Sequence, residues 1–185
     1  MIKILCSILL CLTIQTSYCQ NTGVEKSIFN VQSGLFGVWI NHEFRIFSEV
    51  AIRSEIGLNS FFRDCSNRGC SDCDIRYGLV PVINLEPRWY YNIDKRNSKN
   101  RGLNNSANFL TLGIKYGPDW FAILKTDSAK PSSQIAIVQK WGIRRNIGNS
   151  NFNYEAGIGI GFRYYVHQND LMPEADLHLR IGYAF

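Results

Sequence analysis

Phe152 to Tyr165 reads FNYEAGIGIGFRYY, and its two faces differ in kind. Phe152, Tyr154, Ala156, Ile158, Ile160, Phe162 and Tyr164 fall on one side, and Asn153, Glu155, Gly157, Gly159, Gly161, Arg163 and Tyr165 on the other. A period of two is that of a β-strand. In a water-soluble sheet the polar face meets solvent, and Lys, Thr and Ser suit it. Here that face holds glycine beside opposite charges. Glycine weakens a strand and is kept where space is short. A narrow barrel interior accounts for both features, because about eight strands enclose a lumen that side chains just fill. Glycines then make room for charged side chains from facing strands, and the apolar face points outward, toward lipid.

The chain repeats this design on both sides of that segment. Glu174 to Phe185 (EADLHLRIGYAF) sets Ala175, Leu177, Leu179, Ile181, Tyr183 and Phe185 against Asp176, His178, Arg180, Gly182 and Ala184. The same alternation marks Val50–Asn59, Ile83–Asn92, Leu110–Tyr116 and Ile135–Arg144, and it is less clean within Ile28–Ile40. These are seven strands, whereas single-chain bacterial barrels have an even number. The eighth is expected either ahead of Gly34, within Asn21–Ser33, or within Asp119–Lys125. With Phe185 at the periplasmic face, the expected outer loops are Ser60–Gly78, Gly117–Ser133 and His167–Glu174. The expected inner connections are Asn41–Ser48, Ile93–Asn108 and Asn146–Asn151. Trp39, Trp89, Tyr91, Trp141, Tyr154, Tyr164, Tyr183 and Phe185 are the expected interfacial girdles. No helical period competes in the mature chain. The fold class is therefore all-β, a small closed antiparallel transmembrane barrel of about eight strands.

Residues 1–19 read as a leader. Lys3 precedes the apolar run Ile4–Ile14, and Ser17 and Cys19 are small residues at −3 and −1 to a cut before Gln20. The run is shorter than the roughly 20 residues of a spanning helix, and Tyr18 argues against lipid attachment at Cys19. Residues 20–185 then form the barrel domain. Removing the leader takes Lys3 and three of the six cysteines, and lowers the formal charge of +5 by one. No Lys/Arg stripe accompanies that charge, which excludes a nucleic-acid footprint. Cys65, Cys70 and Cys73 (in DCSNRGCSDC) have no His nearby to complete a zinc set. In an oxidising envelope they are disulfide candidates with one spare thiol, and the pairing stays open.

The expected lumen charges are Arg53, Glu55, Glu86, Arg88, Lys115, Lys140, Arg144, Glu155, Arg163, Asp176, His178 and Arg180. Seven are cationic and four anionic with His178 set aside, a three-charge excess that could hold a phosphate or carboxylate. Buried charges must be paired, so a salt-bridged filling is the expected arrangement. Two alternatives accompany it. A lipid-modifying barrel enzyme would use His178 and Asp176 on their shared face. No G-x-S-x-G motif and no His–Ser pair at usable spacing supports it, so no catalysis is expected. A soluble lipocalin-like carrier would bind an apolar ligand inside. His42 and His167 read as solvated turn residues. No cofactor or metal is expected.

The closing IGYAF resembles the assembly signal of outer-membrane barrels, carried by Tyr183 and Phe185. The segments GLFGVWINHEFRIFSEVAIRSEIGL, PVINLEPRWYYNIDKR, KWGIRRNIG and NYEAGIGIGFRYY are similar to those of uncharacterised outer-membrane β-barrel proteins of the Bacteroidetes, over most of Ser27–Phe185. The resemblance implies a Gram-negative outer-membrane location and two partners, the membrane lipid and the barrel-assembly machinery. It implies no reaction and names no extracellular partner.

Overall fold

The computed structural model describes residues 23–63, 76–124 and 132–185. The expected leader and Cys65, Cys70 and Cys73 lie outside the described residues. Eight antiparallel strands close into a barrel: β1 (Ser27–Gly34), β2 (Gly37–Phe47), β3 (Val50–Arg63), β4 (Arg76–Trp89), β5 (Asn108–Gly117), β7 (Gln134–Asn146), β8 (Phe152–Tyr165) and β9 (Asp170–Ala184). Each pairs with its neighbour in sequence order, and β1 pairs with β9 to complete the circle. A two-residue piece, β6 (Ile123–Leu124), pairs with Gly78 and Leu79 of β4. Val24, beside Ser48 of the β2–β3 turn, and Phe185, beside Phe29, lie at one end of the barrel, called here the base. The opposite end is the mouth.

The eighth strand is the one ahead of Gly34. The stretch Ile28–Ile40 is a hairpin, because β1 and β2 pair from Ser27↔Phe44 up to Gly34↔Gly37. Gly37 adopts φ +145°, and a Cβ there would lie 1.9 Å from the Leu58 carbonyl oxygen. That turn is hidden in the run GLFGVWI, whose unbroken apolar character masks a reversal. Three expected connections are corrected. Asn41–Phe47 belongs to β2 and is not an inner turn. The mouth loop before β9 is only Val166–Asn169, since Asp170 already pairs with Tyr165. The loop between β3 and β4 is shorter than Ser60–Gly78, because the paired strands run to Arg63 and from Arg76.

Side chains alternate as a two-faced barrel requires. Ile158 is 64% exposed and Leu179 47%, whereas Arg53 and Glu155 are fully buried. The apolar side is outside, and the charged side is the core. Trp39 is an exception to the expected girdle: it points inward and is 4% exposed. Gly57 provides its space, since a Cβ there would lie 2.4 Å from the indole Cδ1. The β8 glycines act differently from expectation. A Cβ on Gly161 would meet the Ile137 carbonyl oxygen at 1.9 Å, and one on Gly157 would meet that of Trp141 at 2.8 Å. They allow close approach of the β7 backbone, not room for an arginine. Pro87 breaks the β4–β5 ladder, which lapses between Leu85 and Arg88 because proline has no N–H to give.

The base is sealed. The connection after β4 contains a single turn of helix, α1 (Ile93–Asn97), and a 3-10 turn at Leu103–Asn105. It folds back so that Tyr90, Ile93, Ala107 and Phe109 pack with Val24 and Ala51 in a small apolar cluster. Phe109 fits over Gly142, where a Cβ would come within 2.4 Å of its ring. Among the described residues no helix is long and apolar enough to cross a membrane, which says nothing of strands.

Candidate functional site

The interior charges form a continuous ladder from base to mouth. Lowest is Glu43, which takes Arg144 Nη2 at 2.5 Å, Tyr90 Oη at 2.9 Å and Asn105 Nδ2 at 2.9 Å. Glu155 sits above it and accepts from Arg144 Nε (2.6 Å), Arg53 Nη1 (2.9 Å) and Arg88 Nη1 (3.3 Å). His178 Nε2 is 2.8 Å from its second oxygen. Glu86 joins Arg88 Nη2 (2.6 Å) to Lys140 Nζ (3.0 Å), and Glu55 joins Arg53 to Arg180, whose Nη1 is 2.5 Å away. Near the mouth Asp176 takes Lys115 at 2.5 Å and Lys140 at 3.1 Å, and Arg163 pairs with Glu174. Each carboxylate below the mouth thus bridges cations of successive layers, which offsets the desolvation that burial imposes.

Four members of this ladder lie outside the set expected from the sequence. Glu43 lies on the part of β2 expected as a turn, and Glu174 on the part of β9 expected as a loop. With these two carboxylates, the expected three-charge cationic excess falls to one. Gln32 of β1 was hidden with its strand; its Oε1 accepts from Arg53 Nη2 at 2.5 Å and Arg180 Nη1 at 3.4 Å. Trp39 carries the Arg180 guanidinium 3.6 Å above its ring, a cation–π contact in a desolvated setting. Burial in the base cap pushes the Tyr90 hydroxyl well above its ordinary pKa, with Glu43 adding to the rise, so it stays a donor.

The residues of the alternative enzyme reading are held apart. His178 and Asp176 share a face but not a hydrogen bond: His178 is held by Glu155, and Asp176 by two lysines. His42 is a strand residue on the outer face, not a turn residue, and its Nε2 is 2.8 Å from Ser27 Oγ. No carboxylate contacts His42 among the described residues, so this His–Ser pair has no orienting group. His167 is in the mouth turn, 3.3 Å from Asp119. Among the described residues no group of three His, Cys, Asp or Glu is placed to hold a metal.

Among the described residues, two cavities lie inside the barrel near the mouth. One of about 230 Å³ is bounded by Trp39, Ser60, Lys115, Asp176, His178 and Arg180. One of about 80 Å³ lies between Val82, Ala136 and Arg163. The larger concavities, of about 630 and 650 Å³, are grooves on the outer wall beside Trp89, Leu112 and Trp141 and beside Ile137, Ile160 and Phe162. The outward Gln139 touches both grooves and separates Ile137 from Trp141 on the outer face of β7.

No protein-family model matches this sequence, no curated protein matches it, and no solved structure matches it.

Proposed function

We propose that this chain is an integral outer-membrane β-barrel whose filled lumen makes it a structural or surface-interaction element and not a channel. The observation that carries this reading is the reversal of its surfaces. Each of the eight strands exposes large apolar side chains, among them Val31, Ile40, Ile56, Leu85, Leu112, Ile137, Ile160 and Ile181. Water-soluble monomers rarely expose contiguous apolar patches beyond a few hundred Å². A belt around the whole circumference suits lipid, and the aromatic ring at its lower edge suits an interface. There Phe152, Tyr183, Phe185 and Phe29 meet in series, edge-to-face or tilted, with ring centroids 4.9 to 5.9 Å apart.

In this reading the base faces the periplasm, Tyr183 and Phe185 are read by the assembly machinery, and the mouth loops meet extracellular partners. The similarity to Bacteroidetes barrels belongs to the same proposal. A soluble, lipocalin-like carrier is the competing reading for a closed eight-stranded barrel. It calls for an apolar interior, and this interior is lined by arginine and glutamate.

Protein refolded in detergent is expected to migrate faster unboiled than boiled, and to give no stable conductance in a planar bilayer. Regular single-channel steps would overturn the filled lumen. Release from membranes by alkali without detergent would overturn membrane integration and favour the soluble carrier.

A further inference from the structure

We propose that the base of the barrel carries a binding surface for anionic phospholipid headgroups, built on Arg96, Arg101 and Arg145. The proposal rests on the membrane reading above and names which lipid that surface selects.

The stretch Asp94–Arg101 (DKRNSKNR) holds four cations and one carboxylate, and it lies on the cap that closes the base. Arg96 Nη2 donates to the Arg101 carbonyl at 3.0 Å and to Ser106 Oγ at 3.2 Å, and its Nε to the Ser106 carbonyl. Ser106 Oγ lies 3.4 Å from the Arg144 carbonyl, which also accepts Arg145 Nη1 at 2.6 Å. The guanidiniums of Arg96 and Arg145 are therefore linked through one hydroxyl and one carbonyl. All their acceptors are neutral. Among the described residues no carboxylate comes within ion-pair distance of Arg96, Arg101 or Arg145, in contrast to every arginine of the ladder inside. Burial, and after it the charges of Arg145 and Arg101, holds the Arg96 pKa below its ordinary value.

The cluster's position chooses the anion. Arg145 is an outward residue of β7, across from Tyr154 of β8. Its second nitrogen bonds Asn108 Oδ1, and Asn108 Nδ2 donates to Tyr91 Oη at 3.0 Å, which also receives Trp141 Nε1 at 3.0 Å. The cationic group is thus hydrogen-bonded into the aromatic girdle at the lower edge of the apolar belt. Leu103 on the cap and Ile147 in the neighbouring β7–β8 turn are exposed at the same end. A soluble anion needs only the charges. A phospholipid needs charges at headgroup level, aromatic amphiphiles beside them and an apolar wall above, and all three are present.

Native mass spectrometry of the folded protein in micelles with equal phosphatidylglycerol and phosphatidylcholine tests this. Wild type is expected to retain phosphatidylglycerol about fivefold over phosphatidylcholine, since roughly one basic residue's worth of headgroup attraction gives that ratio. R96Q/R101Q/R145Q should bring the ratio to parity. Because Arg96 also ties the cap together, K95Q/K99Q/R101Q, which alters only exposed side chains, is measured alongside and should lower the ratio by about twofold. Equal retention by wild type, or an unchanged ratio in both folded variants, would overturn the proposal. Displacement of bound lipid by millimolar glycerol phosphate would overturn its lipid character. Flotation with phosphatidylcholine vesicles separates the two readings: insertion should be the same for wild type and variants. A wild type that inserts into no vesicle would overturn both.

Discussion

Glu155 receives Arg53, Arg88, Arg144 and His178 with no surface exposed to solvent. Removing its charge leaves three buried guanidiniums sharing Glu43, Glu55 and Glu86. Breaking a buried pair from one side costs about 3–5 kcal/mol, because the remaining partner stays desolvated. Glu155→Gln should lower unfolding free energy by that amount, read as a shift of the urea midpoint at constant slope. Glu174→Gln is the control. Its partner Arg163 keeps 29% of its side chain in solvent, so the change should stay below about 1 kcal/mol. Equal effects at the two sites would refute the view that desolvation, not the mere count of ion pairs, sets the energetics of this lumen. Trp39 and Gly57 make the same point in apolar terms: the indole is accommodated only because the facing residue has no side chain.

The connection between β4 and β5 is long for a base turn, and its length is explained by what it covers. Ile93 is fully buried against Tyr90 and Phe109, while Asn97 Nδ2 holds the Gly23 carbonyl at 2.8 Å. Ile93→Asp buries an unpaired carboxylate in that cluster and should undock the cap while leaving the strands paired. Trypsin should then cut after Lys95, Arg96, Lys99 and Arg101 at least tenfold faster than in wild type. An unchanged cleavage rate would show that the cap is not held by this cluster. The sequence made the strands legible where alternation was regular, as in β8 and β9, because one period fixes both the element and its faces. It failed where a turn was built from apolar residues. The Gly34–Gly37 reversal hid a strand, and with it Gln32, the inward Trp39 and the strand character of Glu43. The ladder's cations were readable from their faces. So were four of its carboxylates, but which carboxylate meets which cation was not, since pairing across a barrel depends on strand order and register and not on spacing along the chain.

The molecule as a whole inverts the usual arrangement, and its tryptophans report that inversion independently of any charge. Trp141 is 44% exposed on the outer wall, and Trp39 is 4% exposed beneath the Arg180 guanidinium. Single-tryptophan variants with the other indoles changed to Phe can be folded into vesicles of brominated phosphatidylcholine, whose bromines quench only fluorophores they touch. The Trp141 variant should lose most of its emission relative to unbrominated vesicles, and the Trp39 variant should lose little. A soluble barrel would leave both unquenched, because neither ring would meet an acyl chain. A barrel with its faces exchanged would quench Trp39 and spare Trp141. Only a lipid-facing apolar wall around a charged, tightly packed interior separates the two in the expected direction. That outcome also bears on conductance, since a Trp39 shielded from lipid lies in the lumen, where with Arg180 it walls the 230 Å³ cavity near the mouth and narrows the route toward the sealed base.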